Sequence, residues 1–206
     1  MSMSKIVSFG VLFLSVMLGG YAAVTAGDSP LPGFTASKTV GMVAEEPVYK
    51  DGDYWVYKLT VDRSGQSRVY EDQYKDQLFR IEFKGGAFTA DNELNFLRTR
   101  PLVYNTDSRW YRFPLKVGDT WSGQYRSKGK KPQWVNHEVK VTQEGELETK
   151  AGKFRVLESR WTGDDIVVYA YSPDVKAAVA IYGEKMNKRG EKTSTYRFEL
   201  IEYGLK

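Results

Sequence analysis

The residues whose types and spacing could do chemistry stand in two copies of the motif Gly-Asp-x-Trp. The copies are Gly52-Asp53-Tyr54-Trp55 and Gly118-Asp119-Thr120-Trp121, which lie 66 residues apart. A carboxylate beside an indole could grip a ligand, because it combines a hydrogen-bond acceptor with a large apolar surface. The same residues also suit a turn before a strand, in which Gly supplies a positive φ, Asp caps the turn and Trp begins the buried face. We interpret both copies as such turns, and their spacing allows two similar halves.

Catalytic and metal-binding constellations need residue types that this sequence has in short supply. It contains one histidine, His137, and no cysteine, so any triad would depend on His137 and a zinc site would lack ligands. No phosphate-binding loop or dinucleotide fingerprint occurs. Calcium could bind Asp164-Asp165, or Asp51 with Asp53, but neither stretch forms a complete calcium-binding loop. We therefore predict no catalytic residues, no metal site, no cofactor and no enzymatic activity.

Aromatic residues make up 14% of the sequence and are stronger candidates for a binding site than the carboxylates. Placed on strands, they could line a concave sheet and hold an apolar tail or a sugar ring. They could equally fill the core of the domain. The residues that we predict to contact a ligand are Trp55, Trp121, Trp134, His137, Trp161 and Tyr169.

The N-terminus has the pattern of a secretory signal peptide over residues 1–26. One positive charge at Lys5 precedes an apolar run from Ile6 to Met17, and Val24-x-Ala26 is an acceptable cleavage signal. An uncleaved anchor is the alternative, and only then do we expect association with a membrane. A lipid anchor is excluded, because acylation at the cleavage site needs a cysteine. We predict a periplasmic or secreted protein.

Charge and location limit the partners. The formal net charge is +4, with basic runs at 126–131 and 185–192 that contain Gly and are typical of solvated loops. Export makes nucleic acid an unsuitable partner. The partners that we expect are a hydrophobic small molecule or another envelope protein.

The elements that must position these residues are predicted to be strands. Residues 27–46 are rich in Pro, Gly, Ser and Thr and form an extended lead-in or linker, and residues 47–206 form a single domain that could consist of two similar halves. Apolar residues on both parities mark Phe154–Trp161 and Ile166–Tyr171 as central strands. No strong amphipathic helix occurs after the signal. We predict an all-β fold with a strongly curved antiparallel sheet that forms an open or half barrel, with a β-sandwich as the alternative.

From Leu115 onward the sequence resembles the TapB-like group of exported bacterial β-proteins of uncharacterised function. Three pieces carry the resemblance: Leu115–Trp121, Thr149–Leu157, which contains an Ala-Gly-x-Phe turn, and Tyr171–Val175, which contains an aromatic-Ser-Pro-acidic-Val turn. Two positions depart from the group, which usually has an aromatic residue in place of Ala170 and Gly in place of Lys176. The resemblance implies a curved antiparallel sheet similar to envelope carriers of lipoproteins and lipids, and no enzymatic activity.

The sequence thus favours an exported, non-enzymatic envelope protein that binds a hydrophobic ligand or a protein partner on a concave, aromatic-lined sheet. A carboxylate-dependent polysaccharide hydrolase or a carbohydrate-binding module is the alternative, although no pair of carboxylates stands out. A module that pairs through an exposed edge strand is a third hypothesis.

Overall fold

The computed structural model describes residues 29–39, 41–63, 77–90, 103–104, 111–126, 134–163, 165–187 and 189–206. Within these ranges the regular elements are all β-strands, which confirms the predicted all-β fold. The strands are β1 (Phe34–Ala36), β2 (Val43–Ala44), β3 (Tyr54–Arg63), β4 (Gln77–Lys84), β5 (Ala87–Ala90), β6 (Val103–Tyr104), β7 (Leu115–Lys116), β8 (Thr120–Arg126), β9 (Trp134–Thr149), β10 (Gly152–Thr162), β11 (Asp165–Ser172), β12 (Ala177–Met186) and β13 (Lys192–Gly204).

Three features of the sequence lie outside the described residues. They are the signal peptide at 1–26, most of the basic run at 126–131, and Asp164 of the Asp164-Asp165 pair. Among the residues that are described, no helical segment has the length and hydropathy that a membrane-spanning helix needs.

One large antiparallel sheet dominates the described chain. Its strand order is β5-β4-β3-β13-β12-β11-β10-β9-β8-β6, and the short strand β1 pairs with the C-terminal half of β9. Most neighbours in the sheet are also neighbours in the chain, as expected for strands joined by short turns. The exceptions are β6 with β8, β1 with β9, and β3 with β13, the last of which joins the two ends of the domain. A separate two-stranded ladder joins β2 to β7.

The sheet is strongly curved but not closed, as predicted for an open or half barrel. Three strands separate β9 from β13 in the sheet, yet the turn between β9 and β10 reaches β13. The backbone N–H of Lys150 donates to the carboxylate of Glu199 at 2.9 Å, and the rings of Phe154 and Tyr203 lie 5.9 Å apart. The terminal strands β5 and β6 do not pair with each other in the described residues, so the curl stops short of a closed barrel.

Two clusters of buried apolar residues form the interior. Core A contains Leu31, Trp55, Tyr57, Leu59, Phe79, Leu147, Phe154, Val156, Val168, Ala170, Val175, Val179, Ala180, Phe198 and Leu200. Core B contains Met42, Ala44, Leu115, Trp121, Val139, Val141, Leu157, Trp161, Val167, Tyr169 and Tyr171.

Strands β10 and β11 are shared by both cores. Successive residues of a strand point to opposite faces of the sheet. In β11, Val168 belongs to core A while Val167 and Tyr169 belong to core B, and β10 alternates in the same way at Val156 and Leu157. The prediction of two central, two-sided strands is therefore confirmed.

Residues of the predicted lead-in pack against the domain. Leu31 contributes to core A, and Met42 and Ala44 contribute to core B. Strand β1 pairs Phe34 with Leu147 of β9. These contacts place β1 on the large sheet, and β2 with its separate ladder against core B.

Candidate functional site

The two Gly-Asp-x-Trp motifs adopt the same turn. The glycine has a positive φ in both copies, +93° at Gly52 and +95° at Gly118. The Asp carboxylate accepts a hydrogen bond from the backbone N–H three residues earlier, at 3.0 Å in both copies. The glycine N–H and the aspartate C=O also bond one residue of the neighbouring strand, which is Phe83 for the first copy and Val141 for the second. The interpretation of the motif as a turn before a strand is confirmed.

The first aspartate carries additional contacts that the second lacks. Asp53 is fully buried, and its carboxylate accepts hydrogen bonds from the backbone N–H of Lys206 at 2.7 Å and from the Lys176 ammonium at 3.0 Å. Burial alone would raise the pKa of this carboxyl group, but these bonds and that from the Lys50 N–H outweigh it and lower the pKa below its usual value. The first copy therefore connects the turn to the C-terminal residue and to the β11–β12 turn.

Three side chains, Tyr49, Trp55 and Tyr57, bond the β11–β12 turn and the start of β12. The Trp55 indole donates to the carbonyl of Val175 at 2.7 Å, and the Tyr57 hydroxyl donates to that of Ala178 at 2.8 Å. The Tyr49 hydroxyl donates to the carbonyl of Lys176 at 3.0 Å. Trp55 is buried in core A and its indole N–H bonds this turn, so the residue has a structural role.

The six predicted ligand contacts do not converge on one surface. Trp55 lies in core A, whereas Trp121, Trp161 and Tyr169 lie in core B, and each of the four is less than a tenth exposed. A side chain that lines an open pocket keeps accessible surface, and these side chains do not. Their role in binding a ligand stays a prediction, and such binding would require core A to open at Trp55 and core B to open at the other three.

The remaining two predicted contacts differ in exposure. His137 is buried, and its ring is stacked on that of Trp161 with centroids 5.4 Å apart. Burial lowers the pKa of its imidazole, so the neutral form is favoured at neutral pH. Trp134, at the start of β9, is 55% exposed. It is the one predicted contact that a partner could reach without a change of structure.

Residues 111–113 form an aromatic cover over core B. Tyr111 packs on Tyr169 and Tyr171 with ring centroids 5.2 and 4.9 Å away, and Phe113 packs on Tyr171 at 5.4 Å. The two covering rings are half-buried, whereas both rings beneath them are fully buried. We call these four residues the tyrosine cover. The contacts between the two layers are edge to face or tilted, and the two covering rings, Tyr111 and Phe113, stack on each other with centroids 5.9 Å apart.

One polar group is left inside the tyrosine cover. The Tyr171 hydroxyl is buried, and no residue in the described part of the chain forms a hydrogen bond with it. Burial raises the pKa of this hydroxyl, which therefore stays protonated and able to donate. A buried hydroxyl without a partner costs free energy, so it favours a ligand that supplies an acceptor.

A polar cleft of about 310 Å³ lies between the lead-in and the β9–β10 hairpin. Glu144 holds the lead-in in place, because its carboxylate accepts the backbone N–H groups of Gly41 and Met42 at 2.9 and 2.6 Å. The Glu146 carboxylate pairs with Lys153 at 2.6 Å. The cleft is lined by Thr35, Ala36, Ser37, Thr39, Met42, Glu144, Gly145, Glu146 and Arg155.

Sequence reasoning predicted Tyr169 as a ligand contact but not the other three residues of the tyrosine cover. Tyr111 and Phe113 stand in a stretch without a strand period, and Tyr171 was predicted only as the end of a central strand and the start of a turn motif. The aromatic density between positions 110 and 113 was a signal that could have marked this segment as a cover. The sequence offered no comparable signal for the polar cleft, because its residues come together only through the pairing of β1 with β9.

Comparison with known proteins gives two similar structures. No family model and no curated protein matches the sequence. A crystal structure from Bacteroides fragilis NCTC 9343, assigned as an exported protein with a YmcC-like fold, is 12% identical, with a TM-score of 0.42 over 79% of this chain and all of that one. A structure assigned as a lipoprotein from Parabacteroides distasonis ATCC 8503 is 12% identical, with a TM-score of 0.35 over 80% of this chain and all of that one. A likeness at this level carries no conclusion about activity, and the resemblance to the TapB-like group stays a prediction.

Proposed function

We propose that this chain is an exported envelope protein that binds an apolar ligand with one polar end in core B, beneath the outer rings Tyr111 and Phe113 of the tyrosine cover. The observation that carries the proposal is the buried Tyr171 hydroxyl, which has no partner among the described residues and lies under two half-buried rings. Such a ligand would place its apolar part among the aromatic rings and accept a hydrogen bond from the hydroxyl.

The composition of core B supports an apolar ligand over a polar one. Its walls are aromatic and aliphatic, with Trp121 on β8, Trp161 on β10 and Tyr169 on β11. Apolar pockets with a few placed polar groups are the usual form of small-molecule sites. Displacement of Tyr111 and Phe113 would open the entrance, because they form the half-buried outer layer.

The export part of the proposal is supported by the signal-peptide pattern at 1–26. We expect the protein recovered from the periplasm or the medium to begin at Gly27, after the Val24-x-Ala26 cleavage signal. N-terminal sequencing measures this directly. A chain that retains Met1 and sediments with the membrane fraction would contradict cleavage and indicate an anchored protein.

The ligand part is tested by native mass spectrometry of protein purified from cells, before and after extraction with organic solvent. We expect an apolar compound bound to the wild type, and less of it bound to Tyr171→Phe, which removes the hydroxyl and keeps the ring. Tyr57→Phe is the matched control, because it makes the same chemical change in core A. Absence of any apolar compound from the wild type, or equal retention in Tyr171→Phe, would overturn the proposal.

Carbohydrate binding in the polar cleft is a second candidate, favoured by one observation. The cleft brings two carboxylates, from Glu144 and Glu146, together with the Arg155 guanidinium and several hydroxyls. These groups could bond sugar hydroxyls from both sides. Titration with cell-wall oligosaccharides, followed by NMR, would show shifts at Arg155 and its neighbours that are lost in Arg155→Ala. Shifts confined to core B would instead support the apolar ligand.

A further inference from the structure

The polar cleft contains a cationic group without a partner among the described residues. Arg155 of β10 lies directly across from Glu146 of β9, and both side chains are exposed. The Glu146 carboxylate is already paired with the Lys153 ammonium. Within the described ranges, no carboxylate forms an ion pair with Arg155, and no residue there forms a hydrogen bond with its guanidinium. Arg155 is therefore available to an anionic ligand.

The second carboxylate of the cleft is engaged by the backbone. Glu144 is 7% exposed, and its Oε2 atom accepts the N–H groups of Gly41 and Met42. The uncharged polar side chains of the lining are all hydroxyls, those of Thr35, Ser37 and Thr39. Hydroxyl and guanidinium donors beside two occupied carboxylates favour an anion that has several acceptor oxygens, and a phosphate group is such an anion.

A row of cross-strand partners connects the cleft to the tyrosine cover. A β-bulge at Thr142 shifts the register of β9, so that Glu144 lies directly across from Leu157 of β10. Leu157 in turn lies directly across from Tyr171 of β11. Cross-strand partners point to the same face of a sheet. Because neighbouring strands are about 4.8 Å apart, Glu144 in the cleft and Tyr171 under the cover are separated by about 10 Å on one face.

The cleft and core B also share a wall. Met42 belongs to core B and lines the cleft. Arg155 stands on the same face of β10 as Leu157, two residues earlier and about 7 Å along the strand. The guanidinium that lacks an anion and the buried Tyr171 hydroxyl that lacks an acceptor thus lie on one continuous surface. A single ligand can reach both groups.

We propose that the cleft and core B form one site for an acyl lipid with a phosphate head group. Its acyl chain lies in core B, its ester carbonyl accepts the hydrogen bond of the Tyr171 hydroxyl, and its phosphate binds the Arg155 guanidinium. This ligand is a specific case of the proposed function, on which it rests, because it gives the apolar ligand of core B a chemical class. Arg155 and a phosphate can form two parallel hydrogen bonds, which orients the head group. The lipid takes the place of a carbohydrate in the cleft.

Two lipids that differ only in the phosphate test the site, namely 1-lauroylglycerol and 1-lauroylglycerol 3-phosphate. Calorimetric titration of the delipidated protein with each lipid, below the concentration at which micelles form, measures both affinities. We expect the phosphate lipid to bind the wild type about tenfold more tightly, through charge-assisted hydrogen bonds. Arg155→Gln should remove this preference and leave the affinity for 1-lauroylglycerol unchanged, because the exposed side chain contacts only the head group.

Lys150→Gln is the matched control, because it removes one positive charge from the β9–β10 turn outside the lining of the cleft. It should keep the preference for the phosphate lipid. Equal affinity of the two lipids for the wild type, or a preference that survives in Arg155→Gln, would overturn the lipid assignment and leave an apolar ligand in core B standing. Binding of neither lipid would also overturn the assignment, and native mass spectrometry of the purified protein then decides the proposed function separately.

Discussion

The two aspartates of the repeated motif have the same local conformation but different contacts with the rest of the domain. Asp53 and Asp119 cap the same turn with the same bond from the residue three positions earlier. Asp53 alone is fully buried and binds Lys176 and the backbone of Lys206. The free energy contributed by each aspartate should therefore differ although the sequence motif is the same.

Substitution of each aspartate by asparagine separates capping from charge. We expect Asp53→Asn to lower the free energy of unfolding by about 3 kcal/mol, because it leaves the Lys176 ammonium without its buried partner. Asp119→Asn keeps an acceptor for the Lys116 N–H and should cost less than about 1 kcal/mol. Urea denaturation of both variants measures the difference. Equal losses would show that the ion pair adds nothing to the cap.

The charge of Asp53 also predicts how stability depends on pH. Its pKa is lowered in the folded protein, so the folded state binds a proton less readily than the unfolded state. The stabilisation is complete above the ordinary pKa of an aspartate, about 3.9, and is lost as the pH falls through the lower folded value. Acid unfolding of Asp53→Asn should show a correspondingly weaker dependence on pH below about 4, and an unchanged dependence would contradict this assignment.

Lys176 combines a favourable charge with an unfavourable backbone. It is the one non-glycine residue with positive φ, at 58°, in the described chain. We expect Lys176→Met to lose about 2 kcal/mol through the broken ion pair with Asp53. Lys176→Gly loses the same pair but relieves the left-handed conformation, so it should be more stable than Lys176→Met by about 1 kcal/mol. Thermal unfolding of both variants tests this order, and the reverse order would show that the φ costs nothing.

The residues that could be predicted from the sequence are those whose role is local. Gly52, Asp53 and Trp55 act in the turn and strand that their types indicated. The partners of Asp53 could not be predicted, because Lys176 and Lys206 are 123 and 153 residues away and meet it only through the curl of the sheet.

At the scale of elements, regular alternation of apolar residues predicted the strands correctly, whereas irregular and very short elements were not predicted. Strands β10 and β11 were predicted as central because both of their faces are apolar. The bulge at Thr142 was not predicted, because an extra residue shifts the alternation without changing the composition of β9. The pairing of β1 with β9 was also missed, since three residues are too few to show a period.

Gly145 of β9 permits this pairing of β1. A Cβ at that position would collide with the carbonyl of Thr35 and lie 2.8 Å from the Phe34 ring. We expect Gly145→Ala to displace β1, to lower the free energy of unfolding by about 2 kcal/mol and to speed amide exchange at Ser37, whose N–H bonds the carbonyl of Glu144. Gly41→Ala is the control, because a Cβ there meets no atom within 4 Å. Unchanged exchange at Ser37 would show that β1 tolerates the methyl group.

At the scale of the molecule, the sheet gains its curvature from contacts between strands that are distant in the sheet. The β9–β10 turn forms a hydrogen bond with β13. Trp55 and Tyr57 of β3 donate hydrogen bonds to the β11–β12 turn and to the start of β12. An all-β composition and short turns predicted a curved sheet. They did not predict that its interior would be divided into two cores, because that depends on which neighbours cover each face of β10 and β11.

The sharing of β10 and β11 between core A and core B predicts that the two cores unfold together. If core B were lost, one face of both strands would be exposed, and the strands that support core A would lose their packing. We therefore expect Trp55 in core A and Trp121 in core B to report the same urea midpoint, as in a two-state transition. Fluorine NMR of protein labelled with 5-fluorotryptophan, with resonances assigned by Trp→Phe variants, resolves the two residues in one sample. Distinct midpoints would show that each core is held by its own strands and that the central pair does not couple them.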